Sequence, residues 1–298
     1  MISQRVALFL ALLTMASGAY GAQVLILHSY GTGFKWTLDL DASIREYLFE
    51  ESSVANVVSE FLDTKYHNSP EYFARLADHL RHQYEGWQLD VIIATDNLAL
   101  SWANQYRDST FGPIPLVFAG INRYEASLHD ALEGVTGVTE TVDVYSNLAL
   151  IHELFPRGKT IHIVGNGSHT FYRNLELAQE ARSRLDTARR LVIHPSMVAA
   201  DVPQLASVAE PGDAILMLEA ILNEPGISSD FQRAGRLVSA GAGMPVFGLW
   251  DFFMGTGVAG GLLSSGCQQG RAAAELAARI LSGEDADSIP VITDSPNQ

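Results

Sequence analysis

The sequence predicts an α/β protein built from two similar halves. Short apolar, β-branched runs alternate with longer segments of helical periodicity, which is the pattern of parallel strands joined by crossover helices. Several of these runs lack polar alternation, as strands covered on both faces do. The strand-helix rhythm restarts after Glu140, so a cleft between two halves is expected.

Strands are expected at residues 24–28, 57–61, 91–95, 116–119, 160–165, 191–194, 214–218 and 245–248. Between them, Phe73, Leu76, Ala77, Leu80 and Tyr84 form one apolar stripe, with Ser69 placed to cap the helix and Pro70 at its first position. Asp143 caps a segment whose Leu148, Ile151, Leu154 and Phe155 face one way, until Pro156 and Gly158 stop it. A last amphipathic helix covers about residues 268–281 and ends at Gly283.

Residues 1–21 read as a secretory signal that is cleaved near Ala22: Arg5 supplies charge, Val6 to Ala16 the apolar run, and Ser17, Gly18, Ala19 and Gly21 the small residues. The run is shorter than the roughly 20 residues a bilayer span needs, and no later segment is apolar for long enough. A periplasmic product is therefore expected. Cys267 is the only cysteine, so no internal disulfide holds the fold. The 298 residues suit two domains of roughly 150 residues each, and 47% hydrophobic content supports a core in both. A formal net charge of -15 argues against nucleic acid and anionic membrane surfaces, which reward positive patches.

In open parallel sheets, ligands bind beyond the carboxyl ends of the strands. The first such loop, HSYGTGFKW, offers Ser29, Tyr30 and Trp36 as ligand contacts, with core or hinge packing the alternative for the two aromatics. It has no Gly-Lys-Ser/Thr and lacks the third glycine of the dinucleotide fingerprint, so no nucleotide cofactor is expected. Asp96 and Asn97 close the third strand and open a helix that buries Leu98 and Trp102; they cap that helix or face the cleft. Gly120 permits close backbone approach beside Asn122, while Arg123 reads as a solvated surface charge.

In the second half, the turn Gly165 to His169 brings Asn166, Ser168 and His169 to a helix start whose free N–H groups would suit an anionic group. Glu219 closes another strand. Trp250 beside Asp251 suggests an aromatic wall next to an acceptor for a cationic amine, with packing inside a lobe as the alternative for Trp250.

Enzyme signatures are missing from the sequence: there is no Gly-x-Ser-x-Gly elbow and no His-Glu-x-x-His helix. His79 and His82 lie off the apolar stripe of their helix, so a solvated face rather than a metal site is expected, and His162 reads as a core histidine. The chain is read as non-enzymatic, with no cofactor and no metal. An exported enzyme using His28 or Asp251 as general base is the least favoured reading.

The segments VLILHSYGTGFKW, PLVFAGIN, GVTGVTETVDVYSNLALIHELFP and PVFGLWDFFMGTGVAGGLLSSGCQQGRAAAELAARILSGEDADSIPV run through almost the whole mature chain. In order and spacing they resemble the ABC-transporter substrate-binding proteins of the aromatic amino acid type, and the similar periplasmic sensor domains of bacterial signalling proteins. The resemblance implies a type I periplasmic-binding fold whose chain crosses three times between two Rossmann-like lobes. Lobe 1 would take residues 22–139 plus 252–283, and lobe 2 residues 140–251 plus 284–298, with crossings near 138–140, 250–258 and 282–289. It implies capture of an amino-acid-like or aromatic solute, with an ABC permease or a membrane signalling receptor as partner. The HSY…G…W opening is similar to the sensor branch, yet no membrane span follows before residue 298, so a short solute-binding protein or a piece of a longer receptor is expected.

Overall fold

The computed structural model describes residues 21–51, 54–122, 133–185 and 188–296. The secretory signal up to residue 20, and Arg123, lie outside the described residues. Strands β1 (Ala22–His28), β2 (Val54–Phe61), β3 (Val91–Thr95), β4 (Leu116–Ile121) and β5 (Val135–Thr139) form a parallel sheet in the order β2-β1-β3-β4-β5. Strands β6 (Thr160–Val164), β7 (Arg190–His194), β8 (Ala214–Met217) and β11 (Val246–Gly248) form a second parallel sheet, β11-β8-β6-β7. A small antiparallel pair, β9 (Leu222–Glu224) and β10 (Ile227–Ser228), stands apart from both. This is the α/β architecture of two parallel-sheet lobes that the sequence predicts.

Helices α1 (Lys35–Glu51), α2 (Pro70–Gln83) and α3 (Asp96–Phe111) connect the first sheet, while α4 (Val144–Leu154), α5 (His169–Arg184), α6 (Val202–Val208) and α7 (Phe231–Gly241) belong to the second. Side-chain alternation explains the layering. Val24 and Ile26 of β1 face one core with Leu40 and Ile44 of α1, whereas Leu25 and Leu27 face another with Leu80 and Trp102 of α2 and α3. Both faces of the sheet are thus covered, and β3 and β4 are buried throughout. The expected caps form: Ser69 accepts from the Tyr72 N–H, and Asp143 from the Ser146 N–H at 2.8 Å.

Helix α8 (Gly266–Leu281) returns to the first lobe and packs along α1. A Cβ at Gly270 would run into Ser43 and the Leu40 carbonyl, so glycine sets the closeness of the two helices. The strand β5 falls outside the strands expected from sequence, and the stretch around Lys35 and Trp36 is the first turn of α1 rather than loop.

The end of the chain corrects one boundary. Residues 284–298 are expected with the second lobe, but Asp287 Oδ1 accepts from the Gly134 N–H, the Ile289 carbonyl from Thr136, and Ile292 pairs in parallel with Val138 of β5. Those contacts, with the backbone bonds between Ile292 and Gly137 and Thr139, hold residues 287–292 on the first sheet. Only Thr293 to Ser295 reach the neighbourhood of Tyr145 and Arg184, which moves the last crossing to about residue 292. Among the described residues, no helix is long and apolar enough to cross a membrane.

Candidate functional site

The carboxyl ends of β1, β3, β4, β5, β8 and β11 carry the residues of the site, and Asp96 shows how local geometry sets its chemistry. The chain passes from Thr95 in β3 directly into α3, and the first helical residue, Asp96, takes a left-handed φ of 67°. Aspartate is among the few non-glycine residues that tolerate this region. The carboxylate is buried; its Oδ1 accepts from the Trp36 indole N–H at 3.1 Å, and its Oδ2 has no partner. Gly120 faces the pair, and a Cβ there would press on Asp96 and Trp36 at a φ of 70°. Burial, and then the charge of Glu140, push the Asp96 carboxyl up to about 8.

Glu140 follows β5 at the first crossing and is gripped from both lobes. Trp250 Nε1 donates to its Oε1 at 2.6 Å, Ser264 to the same oxygen at 3.4 Å, and Asn122 Nδ2 to its Oε2 at 3.0 Å. Burial nevertheless pushes its carboxyl above the ordinary glutamate value, against these hydrogen bonds and the Arg173 charge. At the end of β8, Glu219 accepts from the Ala220 N–H at 3.2 Å, and burial followed by the charge of Glu140 pushes it up to about 7. Tyr30 lies within the field of all three acids, and burial together with their charges drives its phenol well above the usual range. Lys65 sits 4.5 Å over the Tyr30 ring and offsets Asp96 and Glu219. Trp36 meets Phe252 edge-on at 6.5 Å, and Phe252 stacks on Trp250 at 5.7 Å, so an aromatic wall runs between the lobes.

Two lobes meeting over buried acids and indoles make a site for a small molecule, and the comparisons agree with that architecture. The sequence model described as ABC transporter substrate binding protein matches residues 55–297. The chain belongs to that family. A solved structure of a conserved domain protein from Vibrio cholerae is similar at 22% identity and TM-score 0.59, covering 93% of this chain and 90% of that one. An ABC domain in complex with L-Trp from Streptococcus pneumonia is 15% identical, with TM-score 0.57 and coverage of 93% and 90%. An ABC transporter solute binding protein from Bacillus halodurans with bound myo-inositol is 13% identical, with TM-score 0.58 and coverage of 93% and 94%. At these identities the likeness is one of fold. No curated protein matches the chain.

In this substrate-binding protein, Trp36, Asp96 and Gly120 lie together, as do Asn122, Glu140 and Trp250, and Phe252 links the two groups. Tyr30 and Glu219 feel the charges of these acids, while other expected contacts have partners within the chain. Ser29 is buried and holds β1 to β3, donating to the Thr95 carbonyl at 2.7 Å and accepting from the Ala99 N–H at 2.8 Å. Asn97 exchanges two hydrogen bonds with the backbone of Asn122 and so fixes that residue's position. At the α5 start, Asn166 Oδ1 takes the Ser168 N–H and Ser168 Oγ takes the Phe171 N–H, so part of the helix start is capped from within the chain. Asn166 also donates to Ser228, and His169 is exposed. Asp251 is half-buried near Lys35 and Asp39 and bonds to Ser265 and the Gly266 N–H, so the acceptor beside Trp250 is Glu140 instead.

Further histidines and Cys267 stand outside the site. His28 is fully buried, with Nδ1 at 2.9 Å from Thr95 and Nε2 at 3.1 Å from Asp41, which Arg45 and Ser59 also hold. His79, His82 and Cys267 are exposed, and His162 is buried against His194 at 3.0 Å. Among the described residues, no group of three or more His, Cys, Asp or Glu is placed to hold a metal ion. Glu140, Lys65, Phe252 and Gln269 are the members that sequence reasoning missed. Glu140 stands directly after GVTGVT, and counting that run as a strand would have found it.

Proposed function

We propose that this protein captures one small organic solute between its lobes, outside the cytoplasm, and presents the closed form to the permease of an ABC transporter. The observation that carries the reading is that Glu140 accepts from Asn122 of one lobe and Trp250 of the other, with Phe252 linking Trp250 to Trp36 and its buried partner Asp96, so a solute there would join the halves. Family membership supports delivery to a transporter. The export signal expected over residues 1–21 supports a periplasmic location. The fold is shared with proteins solved with L-Trp and with myo-inositol, so amino-acid-like, aromatic and polyol solutes all belong in a screen.

Hinge closure then acts as population shift, with the solute stabilising the closed form only as far as it binds that form better. A thermal-shift screen of the folded chain tests the reading: a tight solute at 100 times its dissociation constant adds about 2.7 kcal/mol of stability. No shift with any small solute overturns it. The HSY…G…W opening favours a second reading, in which the closed form contacts a membrane signalling receptor. Neighbouring genes for a permease and ATPase support transport; a neighbouring kinase or cyclase supports sensing.

A further inference from the structure

We infer that the cleft takes an organic cation, with the ammonium group among Asp96, Glu140 and Glu219 and the apolar body against Trp36, Phe252 and Trp250. This rests on the reading of the chain as a solute-binding protein and names its solute class.

The first support is the imbalance of partners. Asp96 is 4% exposed and its Oδ1 is held by Trp36, while Oδ2 is buried without a hydrogen bond. An unpartnered buried carboxyl oxygen is costly, and Asp96 is held there in a left-handed conformation that few non-glycine residues adopt. An uncommon conformation and an orphaned acceptor at one residue mark a place kept for a donor from outside. An ammonium group carries three donors and no acceptor, which matches a buried carboxyl oxygen that lacks a donor.

The second support is the balance of charge. Asp96 faces Glu140, Tyr30 and Lys65; Glu219 faces Glu140, Tyr30 and Lys65; Glu140 is offset by Arg173. Glu140 and burial favour the protonated forms of Asp96 and Glu219, so these carboxyls ionise readily only when a further cation joins Lys65 and Arg173. A cationic solute stabilises their ionised forms, whereas a polyol does not and a carboxylate opposes them. The indoles and Phe252 supply faces that favour a cation as well as apolar area.

Because burial leaves Asp96 and Glu219 holding protons in the empty cleft, an entering ammonium group displaces them. Capture should therefore release protons and tighten as pH rises from about 6 to 8. The experiment is titration calorimetry of the full chain with tryptamine, tyramine and phenethylamine, against L-tryptophan, indole-3-acetate and myo-inositol, in two buffers of different ionisation enthalpy. The expected result is binding of an amine with proton release, no binding of the matched acid, and weakening by about tenfold or more in Asp96→Asn and Glu219→Gln. Asparagine tolerates left-handed backbone, and unchanged circular dichroism confirms that the variants fold. Preference for the acid, the amino acid or the polyol over every amine overturns the cation inference and leaves the solute-binding reading standing. No binding or thermal shift with any probe sinks both.

Discussion

Asp96 combines three properties that are separately uncommon: positive φ, burial and an unpartnered oxygen. Its raised proton affinity makes it a stability determinant. Protons are bound more tightly in the folded chain than in the unfolded one, so its contribution is complete below the ordinary aspartate range and is lost as pH rises towards about 8. His28, His162 and His194 act in the opposite sense, since burial lowers each, and their contribution is present above 6.5 and lost progressively as pH falls below it. Above that value the acids dominate. Urea unfolding of the ligand-free chain should show stability falling by up to about 1.4 kcal/mol per pH unit from Asp96 alone above roughly pH 6.5, tapering as pH approaches 8, and Asp96→Asn should flatten this slope. An unchanged slope in the variant would refute the assignment. At this scale the sequence was informative where residue type and strand end coincide, as for Tyr30, Trp36, Asp96 and Trp250. Ser29 and Asp251, also offered as contacts by the sequence, have partners within the chain, because the partner a short side chain finds is set by elements it cannot announce.

The strand-helix pattern was legible wherever burial on both faces left continuous apolar runs, as in β3, β4 and β6. Strand β5 reads VTGVT, and its threonines and central glycine hid it. The glycine has a steric cause: a Cβ at Gly137 would fall on the ring and carbonyl of Phe118 in the neighbouring strand. Low apolar content in β5 is thus the counterpart of a large aromatic in β4. Gly137→Ala should destabilise the chain by about 1–3 kcal/mol, through a forced shift of Phe118, with no change in denaturant m-value. Gly33→Ala is the control, since nothing lies within 4 Å of a Cβ there. Equal midpoints for the two variants would remove this account of β5. The pair β9 and β10 escaped for another reason: strands of three and two residues carry no periodicity to read.

For the molecule as a whole, motion between lobes depends on what ties the crossings together. Glu140 ties the first crossing to the second through Trp250 and Ser264. Gln269, fully buried in α8, ties the first to the last: its Oε1 accepts from the Gly120 N–H at 3.0 Å, and its Nε2 donates to the Thr139 carbonyl and to Ser295, both at 2.9 Å. These contacts span 149 and 130 residues of sequence to Gly120 and Thr139, so no local pattern announces them. The same amide fixes Gly120 against Asp96 and Trp36, which couples the hinge to the cleft. Replacing it with an apolar side chain leaves the Gly120 N–H and the Thr139 carbonyl without partners, at a cost of about 1–3 kcal/mol each where they stay buried. Opening would relieve that cost by admitting water, so Gln269→Leu should shift the ligand-free population towards the open form. Small-angle scattering should then report a larger radius of gyration for the variant without solute and the same radius at saturation. Apparent affinity should fall by the factor by which the binding-competent fraction is reduced. An identical radius and identical affinity in Gln269→Leu, with only the melting temperature lowered, would make Gln269 a packing residue of the first lobe and leave Glu140 as the tie between crossings.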